Sequence, residues 1–196
     1  MGKARQFMEG ELEQRDIRYL TSAAVSKITD TSVELADGKV LESRYSLIIP
    51  PLGGVKAVAE VPGLANPKGF VPVDDGYRHK ELENVYAVGV AVAYPPVEQT
   101  PVPVNFPKTG HMTVQMAKTA AQNIVAAIRG GAHVTRLPFV ECIMDMGNTA
   151  ARMLADPVRP PRNEVKMSVG RRWLWAKRAF APYTLWKLRT GRTWLH

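Results

Sequence analysis

Gln99-Thr-Pro-Val-Pro-Val-Asn-Phe-Pro-Lys-Thr-Gly-His-Met-Thr-Val-Gln-Met-Ala-Lys118 is the stretch on which the reading of this chain turns. Pro101, Pro103 and Pro107 stiffen a loop that runs into Lys108-Thr109-Gly110. Behind it Met112, Met116, Ile124 and Ile128 recur near a 3.6-residue spacing, which predicts a helix from about Gly110 to Ile128 stopped by Gly130-Gly131. Thr109 is its natural N-cap. Just upstream, Asn84-Val-Tyr-Ala-Val-Gly89-Val reads as a buried strand that closes on a glycine. A strand, a glycine, a stiff loop and then a helix N-terminus beside a lysine can hold an anion or an electron-rich ring against backbone N–H groups.

Working toward the N-terminus, Ser46-Leu-Ile-Ile reads as a buried strand stopped by Pro50-Pro51. Before it, residues 4–15 predict a helix with Phe7, Met8 and Leu12 on its apolar face. Four short strands follow that helix, Ile17–Leu20, Ala24–Ile28, Ser32–Leu35 and Lys39–Leu41, with Asp37-Gly38 as the clearest hairpin turn. Gly53-Gly54 and Pro62-Gly63 mark a crossover, and Phe70–Asp74 and Val85–Gly89 read as two more strands joined by a polar loop in which Asp74-Asp75 caps or turns the chain. Toward the C-terminus, residues 138–155 read as two strands around Met146-Gly147-Asn148, and Pro157, Pro160 and Pro161 mark a boundary. The last segment, 171–189, is helix-forming, and Pro182 is expected to kink or divide it.

The net charge of +8 is local in origin. Residues 157–196 hold ten basic side chains against the single acid Glu164, whereas the preceding 156 residues carry 16 basic and 17 acidic groups. Trp173, Trp175, Trp186 and Trp194 all lie in that basic tail. At 45% hydrophobic residues the chain is ordinary folding material, yet no apolar run reaches the roughly 20 residues that span a bilayer. The N-terminus lacks the apolar core of a signal peptide, and Gln6 stands where a myristoylation signal needs Ser or Thr. A single cysteine excludes an internal disulfide and fits a reducing, cytoplasmic setting. His79, His111, His133 and His196 lack metal-ligand spacing, so no metal site is expected.

Three features remain as chemistry. Cys142, in Glu-Cys-Ile-Met-Asp-Met-Gly-Asn-Thr-Ala-Ala-Arg-Met-Leu, is on composition either a buried core residue or a reactive thiol. Lys108-Thr109-Gly110 is either a solvated lysine before an N-cap or a binding end. In the tail, Trp173, Ala176, Phe180 and Tyr183 fall near one helical face with Arg171 and Arg178 roughly opposite, while Leu174 and Trp175 point elsewhere. Tryptophan among cations suits a membrane headgroup layer. A protein interface and a nucleic-acid surface are the other readings, and no nucleic-acid motif accompanies the cluster.

Over nearly its whole length, and most strongly from Gly69 to Arg162 and from Trp175 to Gly191, the chain resembles sulfide:quinone oxidoreductases and the related flavocytochrome c sulfide dehydrogenases, within the FAD-dependent pyridine nucleotide-disulfide oxidoreductase superfamily. Gly89-Val90 followed by Pro95-Pro96 is similar to that family's variant of a Gly-Asp pair found in other members. The chain departs from the pattern at Val114, where relatives commonly have Glu, and at Asn105-Phe106, which replaces a smaller pair. That family also carries a Gly-x-Gly-x-x-Gly turn for the flavin diphosphate, and no such spacing occurs here.

The resemblance therefore implies a C-terminal half: an α/β, partial two-dinucleotide-binding-domain flavoprotein fold lacking the N-terminal FAD-binding βαβ unit, with a small C-terminal unit and basic amphipathic helices. The domain boundaries it implies are 1–50 for the end of the second nucleotide-type domain, 51–131 for the C-terminal part of the FAD domain, and 132–196 for a redox-cysteine and membrane segment. Gly89, Val90, Lys108, Thr109 and Gly110 would face FAD, held weakly or not at all by this chain alone. Cys142 would be the catalytic cysteine. Phe180 and Tyr183 would meet quinone, and Arg171, Arg172, Trp173, Lys177, Arg178, Trp186 and Lys187 an anionic membrane surface. The implied activity is oxidation of sulfide with electrons passed to a membrane quinone, by a cytoplasmic peripheral membrane protein that needs an N-terminal half or self-association. A non-catalytic module that binds membrane or a partner chain is the alternative.

Overall fold

The computed structural model describes residues 2–102 and 104–192. Trp194 and His196 lie outside the described residues, as does Pro103 of the proline-rich loop. The chain folds as two compact units, Met1–Phe70 with Ala93–Pro107, and Val71–Val92 with Lys108–His196.

The first unit opens with helix α1 (Gly2–Glu13), whose outer face carries the i,i+4 pairs Arg5–Glu9 and Glu11–Arg15. An antiparallel meander follows, β1 (Val25–Ile28), β2 (Ser32–Leu35) and β3 (Val40–Glu42). Asp37-Gly38 makes the β2–β3 turn as expected: Gly38 takes a φ of +87°, and the Asp37 carboxylate accepts from the Lys39 N–H at 3.0 Å. Ile17–Leu20 is not a strand, and neither is Ser46–Ile49, which is exposed rather than buried; Leu47 is 77% and Ile49 89% accessible. A strand exists only when a neighbour exchanges backbone hydrogen bonds with it, and no described residue supplies a ladder to either segment. A one-turn helix, α2 (Lys56–Ala59), lies in the crossover.

In the second unit, Phe70–Asp74 and Val85–Gly89 form no full ladder. Three single bridges connect this region, Val71 to Val92, Val73 to His79 and Arg78 to Tyr86. Pro72 has no N–H to give, and the loop instead closes on Asp74, whose carboxylate accepts from the N–H groups of Gly76 (2.8 Å) and Arg78 (3.0 Å). Helix α3 (Gly110–Arg129) buries Met112, Met116, Thr119, Ala120 and Asn123. It ends as its sequence dictates, with Gly130 in the left-handed region at φ +71°. Asn123 pins two loops to this helix, donating to the Gly76 and Val134 carbonyls and accepting from the Val134 N–H.

The unit's sheet is antiparallel in the order β4 (Val140–Asp145), β5 (Ala150–Asp156), β6 (Glu164–Val169). The third strand has no counterpart in the sequence reading, because the prolines at 157, 160 and 161 look like a boundary and act as a return loop. Helix α4 (Arg171–Thr190) follows at once and runs through Pro182 undivided. Arg178 lies one turn before that proline, so its carbonyl lacks an N–H partner there, but strong helix formers on both sides carry the helix past the gap.

Candidate functional site

The start of α3 is built from Gly89 outward. Gly89 is buried at φ +64°, and a Cβ placed on it would sit 2.7 Å from Cγ2 and 2.8 Å from Oγ1 of Thr113. Only glycine lets the 89–91 turn approach α3 this closely. Its N–H is directed at the Met116 sulfur at 3.2 Å. Lys108 then fastens the turn from the other side, its Nζ donating to the carbonyls of Val90 (2.9 Å) and Val92 (2.7 Å). The lysine therefore braces the backbone that the sequence reading assigned to the ligand, and burial holds its ammonium below the ordinary lysine value. Thr109 is the N-cap, accepting from the Met112 N–H at 3.3 Å. That leaves the N–H groups of Gly110 and His111 at the positive end of a 20-residue helix with no acid in its first turn. Neither donates to another described residue. Side-chain space at Gly110 is open. This donor set fits an electron-rich ring edge or an anion.

Cys142 is exposed, not core. It sits in the middle of β4, an edge strand, opposite Met153, which in turn faces Met167 on β6. The same face carries Val140 with Ala155 and Val165, and Met144 with Ala151 and Val169. The thiol thus stands in an apolar, thioether-rich sheet face. The opposite face is charged, with Arg152 bonded to Glu141 at 2.6 Å and its guanidinium 5.1 Å from the Trp173 ring centroid.

Two residues that the sequence reading passed over join Cys142's strand to α3. The Gln115 side-chain amide bonds the Phe139 backbone twice, donating to its carbonyl and accepting from its N–H, both at 3.0 Å. The His111 ring meets the Phe139 ring edge-on at 5.0 Å. A glutamine at the sixth position of the helix carries no local signal; only its fold partner reveals it. Among the described residues no cluster of His, Cys, Asp and Glu could hold a metal ion.

The C-terminal helix sorts differently from its projection. Leu174 is the buried anchor, and Trp173 is half-buried between Arg152 and Arg172, with its indole N–H enclosed and without a hydrogen-bond partner among the described residues. Trp175, set aside by the sequence reading, is 61% exposed and Phe180 66%. They share an outer arc with Tyr183 and Trp186, whose rings stack at 6.1 Å. Arg171, Arg172, Lys177 and Arg178 are exposed and Lys187 is half-buried. Arg152, which lies beside Trp173, is on the opposite face of the sheet from Cys142. Among the described residues no helix is long and apolar enough to cross a membrane.

No family model matches the chain. It is 35% identical, over 97% of its length, to the sulfide-quinone reductase of Aquifex aeolicus, of which it spans 46%. The X-ray structure of the sulfide:quinone oxidoreductase from the same bacterium superposes with a TM-score of 0.87 at 33% identity, again over 97% of this chain and 46% of that one. A NAD-dependent persulfide reductase from A. fulgidus aligns over 76% of the chain and 27% of its own, at 21% identity and a TM-score of 0.46, and adds nothing to the assignment. In sequence and in its α/β fold, nearly the whole chain is similar to about half the length of the Aquifex sulfide-quinone reductase.

Proposed function

We propose that the chain is the cysteine-bearing, quinone-side portion of an FAD-dependent enzyme that removes two electrons from sulfide and delivers them to a membrane quinone. The observation that carries this is Cys142, an exposed thiol on an apolar sheet face locked to the open end of α3 through Phe139, in a chain 35% identical to a sulfide-quinone reductase. A flavin held there would supply the two-electron redox chemistry. The protein's own part is positional. Gly89 and Lys108 fix the turn, the N–H groups of Gly110 and His111 would face the electron-rich edge, and the exposed Cys142 would carry sulfur when sulfide opens a disulfide to it, the displaced thiolate's electron pair passing to the flavin. Cys142 is the only cysteine of the sequence, so the partner sulfur of that disulfide comes from another polypeptide. The exposed aromatic arc and basic side chains of α4 support a peripheral seat on anionic membrane, with Phe180 and Tyr183 toward quinone.

The test is sulfide-dependent reduction of a water-soluble quinone. It is run on the chain with added FAD, and on the chain co-expressed with the flavin-diphosphate-binding half of the Aquifex relative. Activity is expected only from the pair, and Cys142→Ser should abolish it while bound flavin is retained, since an alcohol does not replace a thiolate in sulfur exchange. Full turnover in the serine variant would return Cys142 to a packing role.

A further inference from the structure

Outside the flavin-side residues, one open cleft of about 330 Å³ is lined by Gly147 and Asn148 of the β4–β5 turn and by Arg171, Leu174, Trp175 and Arg178 of α4. The four helix residues fall at i, i+3, i+4 and i+7, so one face of α4 forms one wall and the turn forms the other. Two arginines and no acidic residue line it. The nearest acid in sequence, Asp145, is occupied with the Gly147 N–H at 2.9 Å. Neither Arg171 nor Arg178 makes an ion pair with a described residue; Arg178 lies 5.5 Å from the Trp175 ring centroid. Residues 171–192 contain seven basic groups and no acid, so nothing on the helix neutralises the pair.

We infer that this cleft is a headgroup site, taking the phosphate of an anionic glycerophospholipid on the Arg171 and Arg178 forks with the Asn148 amide beside them. This rests on the membrane seat proposed above and gives it a defined point of attachment. Guanidinium forks match phosphate oxygens two at a time. The choice of lipid over free phosphate comes from Trp175, which both lines the cleft and heads the exposed arc running to Phe180, Tyr183 and Trp186. A phosphate bound between the arginines has an apolar track for its acyl chains directly beside it.

Generic adsorption counts charges, whereas a site needs forks, and charge-conserving substitutions separate the two. The full chain is floated with vesicles of phosphatidylcholine alone and with added phosphatidylglycerol, as is and with Arg171→Lys plus Arg178→Lys. A second pair, Arg189→Lys plus Arg192→Lys, leaves the cleft intact. Circular dichroism checks that each variant keeps its helix content. The cleft pair should bind the anionic vesicles roughly tenfold more weakly, the loss expected when bidentate contacts become single ones, and the second pair should bind as the unaltered chain does. Equal binding by all three proteins overturns the site and leaves the membrane seat standing. Binding to neither kind of vesicle by the unaltered chain overturns the membrane seat itself. If inorganic phosphate alone shifts the Trp175 fluorescence of such a non-binding chain, the cleft takes free phosphate and the lipid assignment is wrong.

Discussion

Lys108 shows how a residue singled out by its place in the sequence can make contacts that the place does not suggest. Its place before an N-cap at the mouth of a glycine turn is legible, but its two bonds to the Val90 and Val92 carbonyls are not, since nothing in the sequence aims a flexible four-carbon stem. Burial lowers its proton affinity in the folded state below the ordinary 10.5. The unfolded chain therefore binds more protons in the window between the folded value and 10.5. Stability from this group is present above that window and is lost as pH falls through the folded value. The difference in urea midpoint between the unaltered chain and Lys108→Met should accordingly rise with pH across the alkaline window. A difference that stays flat would show that the ammonium is as well solvated folded as unfolded. Gly89 belongs to the same scale, where a left-handed φ and a contact with Thr113 impose a glycine that the sequence could flag only as a turn.

Among the elements, the three long helices and the tight hairpin were legible because their signals are local, as in the 3.6 spacing of α3, its Thr109 and Gly130 ends, and Asp37-Gly38, whereas the one-turn α2 was not. Ser46–Ile49 and Ile17–Leu20 read as strands but form none, because a strand depends on neighbours that local pattern does not specify. The third strand of the Cys142 sheet was hidden by prolines that close a loop. Of the site, Cys142 and the opening of α3 could be named from sequence, while the joint between them, Gln115 on Phe139, spans 24 residues and could not. That joint has a measurable weight. Replacing Gln115 by Ala leaves a half-buried N–H and carbonyl unpaired, at a cost of about 1–3 kcal/mol. Hydrogen exchange should quicken at Phe139 and along β4 ahead of the rest of the unit. Unchanged exchange in β4 would mean that the His111 contact and the ladder to β5 hold the strand alone.

For the whole molecule, the proposed flavin site would offer ring-edge contacts without the glycine turn that grips a flavin diphosphate in the resembling family. Losing half of a cofactor's contacts costs several kcal/mol, and each 1.4 kcal/mol is tenfold in affinity. The purified chain should emerge from gel filtration colourless, and stoichiometric flavin retained through the column would refute this. The extended Ser46–Ile49 segment has a consequence of a different kind. An exposed apolar stretch whose backbone groups bond no described residue is a template for another of like composition, including its copy on a second molecule. In solution the chain should behave as a colloid near its limit, with light scattering that climbs steeply with concentration. A charge placed on the ribbon, Ile49→Lys, should flatten that climb without disturbing the β1–β2–β3 meander, because residue 49 contributes to none of its pairs.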